Sequence, residues 1–147
     1  MILGLGLDVC SVARMEEVLG RYGDRFWKRI LTVREQALLG DRVDRATALA
    51  GRFAAKEAIV KAMAGAPGVG WHDLEVLGAP RAPPVMHLHG PARALADRMG
   101  VATILLSITH DAGVAAAVVI LEGAALPSSS PASPTASSSS SAPEGSP

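Results

Sequence analysis

Apolar and polar positions alternate from the first residues of the chain. From Ile2 to Asp8 it reads as a buried strand, with Leu3, Leu5 and Leu7 on one side and Gly4, Gly6 and Asp8 on the other. Glycine on one face lets another backbone approach closely, and that face ends at the Asp8 carboxylate. The period then lengthens. Ser11 can cap a helix to about Tyr22, Gly23 ends it, and a short helical turn follows over Asp24 to Ile30. Thr32 to Glu35 has the capping-box pattern and opens a helix that ends near Gly40. Asp44 can cap a long helix to about Ala64, broken by Gly65 and a loop to Gly70. Strands follow near Leu74–Leu77 and Val85–His89, with Pro80, Pro83 and Pro84 in their linker. Gly90-Pro91 starts another helix, which Gly100 ends. Ala102–His110 and Val114–Glu122 are β-branched runs whose short turn at Asp111 to Gly113 makes an antiparallel hairpin. From Ala124 the chain is Ser, Pro and Ala with one charge, and such a segment buries too little apolar surface to order itself. The expected organisation is a folded unit of residues 1–123 and a disordered tail of residues 124–147.

The long helix carries the chain's most informative irregularity. At about 100° per residue, Leu49, Ala50, Phe53, Ala54, Val60 and Ala64 share one side, and Glu57 falls near the middle of that stripe. Lys61 lies one turn further on. A carboxylate facing a core must be paired or bound to a metal. Two readings stand: an ordinary i,i+4 pair of Glu57 with Lys61, or a ligand.

Composition narrows the setting. The 147 residues suffice for one small domain, and few aromatics leave a core of Ala, Leu, Val and Ile. Formal net charge is zero, so no global field favours nucleic acid or a membrane. The charge is nevertheless uneven: eleven basic and eight acidic residues through Lys61, then three and six. Arg14, Arg21, Arg25, Lys28 and Arg29 cluster early, which fits either an anionic partner or a solvated helix face. Cys10 is the single cysteine and cannot form an intrachain disulfide; a cytoplasmic setting is expected. No stretch is long and apolar enough to span a bilayer, and the N-terminus lacks the basic region of a signal peptide.

Three polar groups interrupt otherwise apolar elements: Asp8, Glu57 with Lys61, and His110 with Asp111. Carboxylates from two elements can share Mg²⁺, which takes one or two protein carboxylates and completes its shell with water and phosphate oxygens. Zinc would want His and Cys ligands. Asp8 could instead cap the helix that starts near Ser11. His110 is either a surface turn residue or a group that binds phosphate or relays a proton. His87 and His89 share a strand face, but spacing places no third ligand beside them. Gly65 to Gly70 could cradle a phosphate, although it lacks the Walker lysine, and Gly4 with Gly6 does not complete a dinucleotide fingerprint. Residue chemistry alone ends at a metal-assisted, phosphate-handling site.

Four motifs occur in order: Gly4-Leu-Gly-Leu-Asp8, Arg52-Phe-Ala-Ala-Lys-Glu57-Ala with Lys61, Trp71-His-Asp-Leu-Glu-Val76, and Ser107-Ile-Thr-His110. In these the chain resembles the holo-acyl-carrier-protein synthases, the small bacterial class of 4′-phosphopantetheinyl transferases. The resemblance covers residues 1–123 and implies a compact α+β fold, a long helix on a small, largely antiparallel sheet. It also implies a homotrimer with active sites between subunits. The implied reaction moves the phosphopantetheine arm of coenzyme A to a serine of apo acyl carrier protein and leaves adenosine 3′,5′-bisphosphate, in fatty acid and also polyketide biosynthesis. Asp8 and Glu57 would bind Mg²⁺. Lys61 would stabilise charge on the diphosphate and handle the serine proton. Arg52, Gly65 and His110 would lie on the coenzyme side, Arg52 and His110 near the 3′-phosphate. The acidic carrier would dock on Arg14, Arg21, Arg25 and Lys28 around Phe26.

The chain departs from the family pattern in three places. The linker before the second strand of the first hairpin lacks the usual Gly-Lys-Pro, Asp111 adds a carboxylate that could act as a base, and the Ser/Pro tail lies outside the family core. A metal-dependent hydrolase of coenzyme A and a coenzyme A-binding assembly module are the competing readings.

Overall fold

The computed structural model describes residues 1–78 and 81–124. The element order is β1 (Ile2–Ser11), α1 (Val12–Tyr22), α2 (Asp24–Ile30), α3 (Val33–Leu39), α4 (Arg45–Ala62), a single 3-10 turn (Trp71–Asp73), β2 (Leu74–Leu77), β3 (Val85–Leu88), α5 (Gly90–Met99), β4 (Val101–Asp111) and β5 (Val114–Gly123). This is an α+β fold. The sheet has the order β1-β5-β4 and is antiparallel throughout; β2 and β3 form a separate antiparallel hairpin. Of the tail expected to be disordered over residues 124–147, residues 125–147 lie outside the described residues, as do residues 79 and 80 of the proline linker.

Helix α4 lies across the inner face of the sheet, and small residues set the separation. An added Cβ on Gly4 would collide with the carbonyl oxygen of Ala62, and one on Gly6 with that of Ala58. Ala54, Ala58 and Ala62 on the helix and Ala115, Ala117, Val119 and Leu121 on β5 are all buried in this layer. The close approach that the N-terminal glycines imply is thus made by the backbone of α4.

Local signals position most boundaries. The Ser11 hydroxyl accepts the Arg14 amide at 3.2 Å and caps α1, so Asp8 does not. Thr32 and Glu35 form the expected capping box at the start of α3. Asp44 occupies the N-cap position of α4 without capping it: both carboxylate oxygens are held by Arg42 at 2.7 Å. That helix ends at Ala62 rather than near Ala64, because Ala64 and Gly65 turn to positive φ (56° and 96°).

Strand β1 differs from its expectation in two ways. It continues through Ser11, which places Asp8 inside the strand rather than at its end. It is also buried on one side only: Leu5, Leu7 and Val9 are 62%, 57% and 59% exposed on the outer face of the sheet.

Candidate active site

The inner face of β1 carries Asp8 toward α4. Lys61, in the last turn of α4, donates to Asp8 Oδ1 at 2.8 Å and to the Leu7 carbonyl at 3.0 Å. The i,i+4 pair of Lys61 with Glu57 is not formed; the two residues on α4 are neighbours in space, but the nearer strand carboxylate takes the ammonium. Glu57 is half-buried and has no hydrogen-bond or ion-pair partner among the described residues. It lines a cavity of about 270 Å³ together with Asp8, Val9, Cys10, Arg14 and Phe53. It also borders a second, more apolar cavity of about 290 Å³ walled by Val60, Val69, Trp71 and Leu74. Burial pushes the Cys10 thiol above its ordinary range, against the pull of Arg14, so this side chain acts there as a small apolar wall.

Two carboxylates on one cavity, one of them unpartnered and the other with Oδ2 free of hydrogen bonds among the described residues, make an all-oxygen donor set. That set fits Mg²⁺, which needs few protein ligands and keeps room for phosphate oxygens. Arg14, expected on the docking face, borders the same cavity.

The remaining candidates stand apart. His110 and Asp111 are exposed at the end of β4, and Asp111 Oδ1 accepts the Ala112 amide at 2.8 Å within the turn. His110 is in register with Ala115 of β5, and Ala115 with Cys10 of β1, so the whole width of the sheet separates His110 from the Asp8 strand. Arg52 lies nearer the other end of α4. Its Nε is buried without a partner among the described residues, and burial holds its pKa below the ordinary guanidinium range. Arg45 stacks over the Trp27 ring at 4.3 Å and pairs with Asp24 at 3.1 Å. Gly65 follows α4 with φ 96° and meets nothing within 4 Å of where a Cβ would stand.

The basic face is split. Gly23, at φ 56°, separates α1 from α2, so Arg14 and Arg21 sit on one helix and Arg25, Phe26 and Lys28 on the next. Arg25 and half-buried Phe26 join Tyr22 and Arg29 around a cavity of about 410 Å³. Arg21 is loosely paired with Glu17 at 3.7 Å.

Sequence reasoning missed a buried polar cluster. Lys56 and Glu35 are fully buried and joined at 2.7 Å. Glu35 also accepts the amides of Thr32 and Val76, at 2.8 and 2.9 Å. Lys56 also donates to the carbonyls of Ile30 and Trp71. Burial lowers the Lys56 pKa, with the Glu35 charge acting against it. Nearby, Glu75 is almost fully buried and bonds Thr32, Arg34 and His89. The signal was present in the alanines: Lys56 lies among Ala54, Ala55, Ala58 and Ile59, all with no exposure, whereas Phe53 and Val60, used to locate the stripe, are only half-buried.

The fold and the sequence agree with comparisons to known proteins. The family model described as the 4′-phosphopantetheinyl transferase superfamily matches residues 4–119. A protein of Anaeromyxobacter dehalogenans named holo-[acyl-carrier-protein] synthase is 51% identical over 127 residues, covering 84% of this chain and 98% of that protein. One of Myxococcus xanthus with the same name is 46% identical over 122 residues, covering 82% and 95%. Among solved structures, the holo-ACP-synthase of Plasmodium yoelii superposes with a TM-score of 0.76 at 29% identity over 85% of this chain and 98% of that one. The Helicobacter pylori holo-[acyl-carrier-protein] synthase in complex with coenzyme A gives 0.69 at 32% identity over 80% and 99%. With its motifs, fold and sequence in agreement over nearly all the described residues, the chain belongs to the 4′-phosphopantetheinyl transferase superfamily and, within it, to the holo-[acyl-carrier-protein] synthases.

Proposed function

We propose that this chain performs its family's reaction at the cavity between Asp8 and Glu57. The phosphopantetheine arm of coenzyme A passes to a serine hydroxyl of apo acyl carrier protein, and adenosine 3′,5′-bisphosphate leaves. The observation that carries this reading is the meeting of Asp8, from a strand, with Glu57, from a helix, on one cavity beside the Lys61 ammonium. Asp8 and Glu57 would hold Mg²⁺, which when bound neutralises diphosphate charge and templates nucleophile and leaving group. Lys61 is fixed as a donor to two oxygens, a geometry that favours charge stabilisation on the diphosphate over proton abstraction. The nucleophile comes from the carrier, so the chain needs none.

Other parts of the reading rest on further features. The split basic face around Phe26 suits an acidic carrier, since a cationic surface raises the encounter rate. Arg52, Gly65 and His110 are assigned to the coenzyme side, with Asp111 as a further candidate base. Within one chain neither His110 nor Arg52 lines the Asp8–Glu57 cavity, and the outer sheet face exposes Leu5, Leu7, Val9 and Leu105. Both features support a homotrimer whose sites draw on neighbouring copies. No helix among the described residues is long and apolar enough to cross a membrane. A cytoplasmic setting is part of the same reading.

The test is to incubate the protein with coenzyme A, Mg²⁺ and a panel of apo carriers from fatty acid and polyketide synthesis, and to weigh the carriers. A mass gain of one phosphopantetheine is expected. Release of phosphopantetheine without carrier would favour a hydrolase, and binding without turnover a binding module. Glu57→Gln is expected to lose at least about 100-fold in kcat at ordinary Mg²⁺ levels, a barrier increase of about 2.7 kcal/mol. Undiminished turnover removes Glu57 from the site.

A further inference from the structure

Lys56 precedes Glu57 on α4, but its side chain leaves the helix in another direction and is completely buried. Its ammonium has three partners, and each belongs to a different segment. It pairs with Glu35 of α3 at 2.7 Å, donates to the Ile30 carbonyl at the end of α2, and donates to the Trp71 carbonyl of the 3-10 turn at 3.1 Å. A buried cation with three acceptors, fixed in three separately positioned pieces of backbone, permits little rotation or sliding of α4.

The contacts continue to the cavity. The Trp71 ring packs against Phe53 with centroids 5.2 Å apart. Phe53 lines the cavity with Asp8 and Glu57, and Trp71 walls the second cavity that Glu57 borders. Glu57 itself has no partner among the described residues, so its direction is set by the rotation of its helix and by these walls.

We propose that Lys56 is a positioning residue for the reaction: by locking α4 to the Trp71 turn and to α3, it aims Glu57 across the cavity at Asp8. The inference rests on the assignment of Asp8 and Glu57 as metal ligands. It predicts that loss of the buried pair weakens the metal-dependent part of coenzyme binding and the turnover number, apart from any effect on stability.

Two variants test it. Lys56→Met combined with Glu35→Gln removes both charges and leaves no lone buried ion, and Lys56→Arg keeps the charge but cannot serve three divergent acceptors in the same way. Coenzyme A affinity is measured by calorimetry without carrier, with and without Mg²⁺, alongside kcat and KM well below each variant's melting temperature. The gain in affinity that Mg²⁺ confers is expected to shrink at least fivefold, and kcat to fall at least tenfold. Affinity without Mg²⁺ and KM for the carrier are expected to stay within about threefold. A folded variant with the wild-type Mg²⁺ increment and kcat overturns the proposal, and so does failure of both variants to fold, which would leave Lys56 a stabilising residue only. Glu57→Gln runs in parallel. If it keeps the Mg²⁺ increment, the metal-site assignment fails and this inference falls with it; if it loses the increment while the Lys56 variants keep it, only this inference fails.

Discussion

Glu75 shows how single polar residues are stabilised inside this small core. Burial alone pushes its carboxyl upward, but hydrogen bonds from Thr32 and His89 and the charge of Arg34 outweigh that and hold it below the usual range. A carboxylate depressed in this way contributes stability that is complete above the unfolded-state pKa and is lost as pH falls through the folded one. Thermal melts should therefore show a loss of stability on acidification below about pH 4.5, the ordinary carboxylate value. Glu75→Gln should flatten that slope and cost about 1–3 kcal/mol at neutral pH; an unchanged acid slope in the variant rules Glu75 out as its source. The proximity of Asp8, Glu57 and Lys61 was legible in the sequence because charges interrupted apolar runs. Lys56 and Glu35 were not, because each had a sufficient local explanation. Glu35 completes a capping box, and Lys56 reads as an ordinary helix cation until the alanines around it are seen to be the buried face. Their pairing spans 21 residues of sequence, and no local pattern encodes it.

At the scale of elements, the β1–α4 contact aims both carboxylates. Alternation along β1 put Gly4, Gly6 and Asp8 on one face, and the structure uses the first two for backbone contact and the third for the cavity. What periodicity could not give was the exact rotation of α4, because its buried side mixes Leu49 and Ile59 with alanines while the large Phe53 and Val60 beside them are only half-buried. Nor could it give the direction of Asp44, where an arginine two residues away competes successfully for the capping carboxylate. Gly6→Ala tests the contact. Its methyl would meet the Ala58 carbonyl, a backbone atom that moves only if helix and strand part. The expected cost is about 1–3 kcal/mol, as for other insertions into a packed interior. Because that separation also moves Asp8 from Glu57, kcat should fall in the protein that remains folded. Gly20→Ala, inside α1 at a site with open space, is the control: it should not destabilise, should gain about 0.5–1 kcal/mol from helix propensity, and should leave kcat unchanged.

At the scale of the whole molecule, the sheet has an inner face filled by α4 and an outer face on which none of the described residues packs. Leu5 and Leu105 both stand opposite Ile120, so one row across β1, β5 and β4 is apolar throughout. Leu5 is 62% and Leu105 46% exposed. Covering a leucine or valine fully contributes about 1.5–3 kcal/mol, and an antiparallel sheet that faced water here would carry polar residues instead. In the proposed trimer a second copy would cover this row, and the same neighbour would bring His110, which its own chain holds across the sheet from β1, to a site that also contains Asp8 and Glu57. Leu5→Lys with Leu105→Lys places two charges on that row while leaving the inner face untouched. Sedimentation should show the wild-type chain as a trimer and the variant as a monomer, with the helical circular dichroism of the chain retained. Turnover should fall with assembly, and mixing the variant with a chain lacking Glu57 should not restore it. A wild-type chain that sediments as a fully active monomer would overturn both the trimer and the shared site, and would require His110 to act, if at all, on some other part of the substrate.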